Sequence, residues 1–167
     1  METLLSSLLI LFFTSMQLAV VSRLPLQNGM ADIVLLFIIA WSLNRQAKRF
    51  YIPALIAGAM VTFISSVPVP GVLIAYLLAA ILTRVLVNRL WEMPIFSMLI
   101  ITIVATIAQH LIYIITSQIG GTLIPISQSL SQITLPSVFL NVILALPMYL
   151  IVQDAQKYIY IEAENEK

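Results

Sequence analysis

Six apolar runs succeed one another along this 167-residue chain, parted only by short turns and loops. A run of about 20 apolar residues, coiled into a helix, matches the ~30 Å hydrocarbon core of a bilayer. Lipid cannot hydrogen-bond the backbone, and a helix satisfies its own N–H and C=O groups. The sequence therefore predicts an all-α integral membrane protein, a compact six-transmembrane-helix bundle. Composition agrees: 61% of residues are hydrophobic and 9% charged, against about 45–50% and about 25% in soluble domains.

The first run covers residues 4–21 and ends at Arg23, ahead of a turn rich in helix breakers, Pro25-Leu-Gln-Asn-Gly29. It carries neither the basic region nor the cleavage site of a signal peptide, so it is read as a retained helix. The second, residues 33–43, is short and leads into the most basic stretch of the chain, residues 44–49. The third, 52–67, stops at the turn 68–71. The fourth, 72–90, contains Arg84, and Trp91-Glu92-Met93-Pro94 breaks it. The fifth, 95–119, gives way at Gly120-Gly121 to a polar loop reaching Gln132. The sixth, 135–152, carries Pro136 in its first turn and Pro147 deeper, where a kink is expected. Residues 1–153 thus read as the transmembrane domain and 154–167 as a charged cytoplasmic tail.

Charge sets the orientation. With both termini in the cytoplasm, Arg45, Lys48, Arg49, Arg84, Arg89, Lys157 and Lys167 fall inside and only Arg23 outside. This positive-inside bias requires an even number of crossings, since five would carry Lys157 and Lys167 outward. Trp41, Phe50, Tyr51 and Trp91 fall at the same inner interface, where amphipathic rings prefer to sit. The second and third helices are short for full spans. Little tilt or local thinning of the bilayer accommodates them, with a re-entrant pair as the alternative.

Small residues spaced four apart permit close helix contact in lipid. Ala54, Gly58 and Thr62 form such a stripe in the third run, and Ala75, Ala79 and Thr83 in the fourth. The tight turn between these runs makes them antiparallel neighbours, with the two stripes expected to face each other. Polar groups facing lipid are costly. Thr102, Thr106, Gln109, His110 and Tyr113 of the fifth run, and Ser137 and Asn141 of the sixth, are therefore expected inside the bundle. They serve either as interhelical hydrogen bonds or as a polar pocket in the outer half. Gln17 lies within the first run, beside Ser15 and Ala19. These three are candidates for docking a partner helix, and bonding of Gln17 within the bundle is the other reading. Arg84 is expected to snorkel to the headgroups, and Asp32 to cap the second helix.

There is no cysteine, and one histidine is too few for a zinc site. No metal or other cofactor is expected. No nucleophile–base pair, G-x-S-x-G elbow, Walker loop or pair of intramembrane carboxylates is present in the sequence, so an enzyme is not expected. A net charge of +1 with no basic patch gives no footprint for nucleic acid. The working surfaces are then the helix faces, in contact with membrane lipids and other proteins.

Several stretches resemble the bacterial rod-shape-determining MreD family, across most of the chain. They are Met16-Gln17, Ala31-Asp32 with the apolar run to Ala40-Trp41, Ala57-Gly58, and residues 135–147, Leu-Pro-Ser-Val-Phe-Leu-Asn-Val-Ile-Leu-Ala-Leu-Pro. The chain departs from the family pattern at Ala31, where the family has Pro, at Thr62, where an acidic residue is frequent, and in the turn 67–71. The resemblance implies a non-enzymatic subunit of the cell-elongation machinery in the bacterial cytoplasmic membrane. Such a subunit pairs with a single-span MreC-like protein and helps to link MreB filaments inside to peptidoglycan synthases outside. The resemblance also implies a fold similar to the substrate-binding subunits of energy-coupling-factor transporters. A vitamin-binding subunit of that kind is the alternative function, and a structural subunit of another membrane complex a third.

Overall fold

A helix apolar on every side has no preferred outward face, and the stable place for it in a bundle is the centre. The second run is such a segment. The computed structural model describes residues 2–19, 29–63, 65, 67–87, 93–122 and 125–165, with side chains as far as Tyr158. Arg23, residues 25–28 of the first turn, Arg89, Trp91-Glu92 and Lys167 lie outside the described residues. Among the described residues all regular structure is helical. The elements are α1 (Glu2–Ala19), α2 (Ile33–Leu43), α3 (Tyr51–Thr62), α4 (Val69–Val87), α5 (Pro94–Ile119), a short α6 (Ile126–Ser129), one π-helical turn (Leu130–Thr134) and α7 (Leu135–Asn165).

Among the described residues four helical units are long and apolar enough to cross a membrane: α1, α4, α5 and the continuous stretch Ile126–Tyr158. By that measure the chain is a multi-pass helical membrane protein. At 11 and 12 residues, α2 and α3 reach only about 16–18 Å at 1.5 Å per residue, well short of a ~30 Å core. Every residue of α2 is buried. It packs against α1, α4, α5 and α7 and touches α3, so it is the hub of the bundle. Phe13 of α1 lies against Phe37 of α2, and Phe37 stacks on Trp41, with centroids 5.2 and 5.7 Å apart.

Hydrogen bonds define two ends. At one, Glu2 Oε1 accepts from Arg49 N–H, Arg45 donates to Val87 O, and Asn44 bonds Gln156 of α7. At the other, the backbone at 30–33 meets Gln17 of α1 and Ser137 and Asn141 of α7. Successive helices α1 to α5, and then α7, therefore run in alternating directions. The basic residues Arg45, Arg49 and Arg84 gather at the first end.

Ala54, Gly58, Ala75, Ala79 and Thr83 of the small-residue stripes are buried. The close approach differs in register from the one read in the sequence. A Cβ at Gly58 would lie 2.7 Å from Leu73 Cδ1 and 3.1 Å from Leu73 Cα, so Gly58 faces Leu73 rather than Ala79. Thr62 is only half-buried, at the fraying end of α3. Thr83 Oγ1 spends its proton within its own helix, on Ala79 O at 2.7 Å.

The polar stretch before the last span is not a loop throughout. Helix begins at Ile126, where Ser131 bonds back to Ser127 O and Gln128 pairs with Gln132 one turn on. Such local bonds support a helix that apolar periodicity does not announce. The π turn closes with Leu135 N–H on Leu130 O, immediately before Pro136, which has no N–H to give. Pro147 lies inside α7, which continues past it.

Candidate functional site

A helix leaves up to four N–H groups at its start and four C=O groups at its end without intrahelical partners. For α2 these lie inside the protein. Tyr76, seven residues into α4, and Gln109, ten residues before the end of α5, both reach the start of α2. At 1.5 Å per residue this start is about 10–15 Å below the ends of those helices. Water is absent at such a depth in a bilayer, so side chains must answer the free groups.

The sequence supplies them from four helices. Asp32 caps α2 as its position predicts, Oδ1 accepting from Leu35 N–H at 2.8 Å. Oδ2 accepts from the Tyr76 hydroxyl at 3.0 Å and from Gln109 Nε2 at 2.6 Å. Asn141 Oδ1 accepts from Asp32 N–H at 2.8 Å, while its amide donates to Thr106 Oγ1 at 3.0 Å. Ser137 Oγ accepts from Met30 N–H at 3.0 Å. Gln17 clamps the chain with both amide atoms, Nε2 donating to Ala31 O at 2.9 Å and Oε1 accepting from Ile33 N–H at 3.0 Å. The strand-like entry to α2 approaches α7 so closely that a Cβ at Gly29, where φ is 72°, would sit 2.7 Å from Pro136 Cβ. Glycine is the residue that fits both demands.

The other end of α2 is closed by Arg84 and Gln156. The guanidinium donates to Asn44 O at 2.9 Å and to Ala47 O, and lies 4.7 Å over the Phe50 ring. Gln156 Nε2 donates to Trp41 O at 3.1 Å and its Oε1 accepts from Asn44 at 3.1 Å.

Of the two readings of Gln17, the structure fits bonding within the bundle. Gln17, read as available to a partner helix, is 6% exposed and turned onto α2. Ser15 and Ala19 are on the opposite, exposed side of α1, so the three do not share a face. A glutamine can satisfy an N–H and a C=O at once, and the entry to α2 offers one of each. The Arg84 guanidinium, at the basic end of the bundle, is held by two backbone carbonyls and lies over an aromatic ring.

The polar stripe of α5 and α7 is brought together as expected. Thr102, Thr106, Gln109, Ser137 and Asn141 are each at most 2% exposed. His110 is half-buried, with Nδ1 3.0 Å from Thr134 Oγ1, and its ring stacks on Tyr113 with centroids 6.4 Å apart. Tyr113 accepts from Gln109 Nε2 at 3.0 Å. Beside them is an open cavity of ≈ 200 Å³, lined by His110, Tyr113, Ile114 and Ser117 of α5, Ser129, Ile133 and Thr134 of the π-turn region, and Val67. Sequence reasoning missed Tyr76, Asn44, Gln156 and Thr134. Tyr76 sits on a helix that read as an ordinary span, Gln156 lies in the stretch read as a charged tail, through which α7 continues, and the π turn that brings Thr134 toward α5 has no sequence mark before Pro136.

Chemically, the network is a set of donors and acceptors around one carboxylate. His110 and Thr134 are within nucleophile–base distance, but the Thr134 hydroxyl also contacts Ser129 O at 3.3 Å. Among the described residues no further hydrogen bond orients the imidazole as the third member of a triad would. Among the described residues no group of three or more His, Cys, Asp or Glu side chains is arranged to hold a metal ion. Comparison with protein-family models, with curated proteins and with solved structures gives no match to this chain.

Proposed function

We propose that this chain is a non-enzymatic scaffold subunit of the bacterial cytoplasmic membrane, crossing it six times with both ends inside, in the cell-elongation machinery to which its MreD-like stretches relate it. One observation carries the reading. The polar side chains of the spans turn inward and hold α2, while the outward faces of the long helices are chiefly apolar. A surface of that kind makes its contacts with lipid and with other membrane helices. On α1 the exposed residues Leu4, Leu8, Phe12, Ser15 and Ala19 fall on one face. The small residues toward its end allow close approach by a single-span, MreC-like helix, with peptidoglycan synthases beyond it. The gathering of Arg45, Arg49 and Arg84 at one end supports the cytoplasmic assignment of that end.

The test has two parts. With no native cysteine, single cysteines at Val69 and Ser127 are expected to react with an impermeant thiol reagent from outside, and one at Gln46 is not. The reverse pattern refutes the topology. Photo-crosslinkers at Phe12 and Ser15 are expected to capture a single-span protein in the native bacterium, and crosslinkers at the buried Ile10 and Phe13 are not.

The cavity beside His110 favours a second reading, the vitamin-binding subunit. Its ≈ 200 Å³ is below the roughly 300–1,000 Å³ of sites for drug-sized ligands, which makes this the lesser reading. Tight vitamin binding, with no helix captured on α1, would reverse the order.

A further inference from the structure

We infer that the connection between α2 and α3, residues 44–50, is a binding site for the phosphodiester group of an anionic phospholipid, held chiefly by Lys48 and Arg49. The inference goes beyond the scaffold reading and needs only that the long helices cross a membrane. It begins with depth. At 18 and 19 residues, α1 and α4 are about 27–29 Å long at 1.5 Å per residue, close to the ~30 Å hydrocarbon core. Their ends therefore mark the headgroup layers, and the connection is tied to one end of each. Arg49 N–H donates to Glu2 Oε1, at the start of α1, at 3.3 Å. Arg45 donates to Val87 O, at the end of α4, at 3.2 Å. Residues 44–50 thus lie at the level of the phosphates of one leaflet.

The connection is also held in shape. Ala47 N–H donates to Asn44 O at 3.1 Å, Gln46 N–H to Asn44 Oδ1 at 2.9 Å, and Ile52 N–H to Arg49 O at 3.1 Å. Arg84 donates to Asn44 O and Ala47 O. Ala47 is fully buried, which pins the chain at its middle, while Arg45, Lys48 and Arg49 are exposed around it. Tyr51 follows, 43% exposed, its ring edge-on to Phe50 with centroids 5.8 Å apart. Such a ring prefers the membrane–water interface, and long basic side chains beside it reach outward to the headgroups.

Charge selects an anionic lipid. Its phosphodiester carries one uncompensated negative charge, whereas the phosphate of phosphatidylcholine is offset by its own ammonium. A guanidinium can take two phosphate oxygens and a lysine ammonium adds a point charge. The surface below the connection selects a lipid over free phosphate. Tyr51, Leu55 and Ala59 are exposed at a spacing of four, so one face of α3 runs from the basic residues into the membrane and is apolar beyond Tyr51. Acyl chains fit that face.

The experiment uses the full chain in neutral maltoside micelles, titrated with dioleoylphosphatidylglycerol, with dioleoylphosphatidylcholine and inorganic phosphate as controls. The melting temperature is expected to rise saturably with phosphatidylglycerol and with neither control. Lys48→Gln and Arg49→Gln should each weaken the apparent affinity about fivefold, and the double variant about 25-fold. Both side chains are exposed, and Arg49→Gln keeps the backbone N–H that Glu2 accepts, so the variants should melt like the wild type before lipid is added. Lys157→Gln, at an exposed cation paired with Asp154, should change the affinity less than about twofold. A salt arm needs no variant. Raising salt from 0.1 to 1 M shortens the screening length from about 10 to about 3 Å and should remove most of the rise. An equal response to the two lipids, or an equal response to phosphate alone, overturns the inference. So does a rise that survives in the double variant or in 1 M salt. A loss at Lys157→Gln as large as that at Arg49→Gln overturns it too, because the effect would then belong to overall charge and not to this connection.

Discussion

Arg84→Lys separates two roles for a cation near the end of a span. A snorkelling side chain needs length and charge, and lysine has both. A capping guanidinium needs its fork, since one planar group serves Asn44 O and Ala47 O together while lying over Phe50. A lysine ammonium is a point donor and cannot reproduce that geometry. Hydrogen bonds between membrane helices average about 0.6 kcal/mol, and charge-assisted bonds are about twice as strong, or about 1.2 kcal/mol each. Stacking on Phe50 adds about 0.5–1 kcal/mol. Because both side chains bring the same charge to the same depth, the desolvation terms nearly cancel. Loss of one bond and most of the stacking then gives about 2 kcal/mol. At about 2–4 °C per kcal/mol for a chain of this size, the melting temperature should fall by about 4–8 °C. The assay is thermal unfolding in micelles, with reversible denaturation by sodium dodecyl sulfate as a check. A variant within about 0.5 kcal/mol of wild type, the ordinary scatter of surface substitutions, would refute the capping role.

Gly58→Leu should lower stability by about 1–3 kcal/mol, because its Cβ alone meets Leu73 Cα at 3.1 Å; unchanged melting in detergent would mean that α3 and α4 are not in close approach there. Gln17→Leu strands Ala31 O and Ile33 N–H and should cost about 1–3 kcal/mol, whereas Ser15→Leu on the exposed face should leave melting unchanged. Equal effects at the two positions would contradict the inward orientation of Gln17. Asp154→Asn breaks a pair whose side chains are 56% and 69% exposed, and no measurable change in melting is expected.

The apolar runs made the helices legible, because a span must be long and apolar wherever it goes. They did not reveal that α2 is a hub. A helix shielded by protein and a helix facing lipid carry the same residues, and their difference is one of neighbours. The inward stripe of α5 and α7 was legible because Thr106, Gln109 and Asn141 have nowhere else to go in lipid. That Asn141 meets the N–H of Asp32 was not, since every residue type but proline has that group. The partners of Gln17 and Arg84 were not legible for one reason: local sequence gives the side chain's reach and not what lies within it. The helix at Ile126–Ser129 went unseen because serine and glutamine stabilise it through bonds between themselves, with no apolar period.

The shortness of α2 connects the polar residues to the scaffold reading. A helix long enough to reach both headgroup layers exposes its free backbone groups to water and needs nothing from its neighbours. Shortened to 11 residues, it carries those groups inside, where side chains of α1, α4 and α7 bond the backbone at its two ends and Gln109 of α5 bonds the capping carboxylate of Asp32. It also divides α1 into two faces with different duties. The inner face, through Gln17, fixes the entry of α2, and the outer face, from Leu4 to Ala19, is exposed. The partner helix proposed for that outer face would bear on one of the four spans packed on the hub, the one that holds its entry through Gln17.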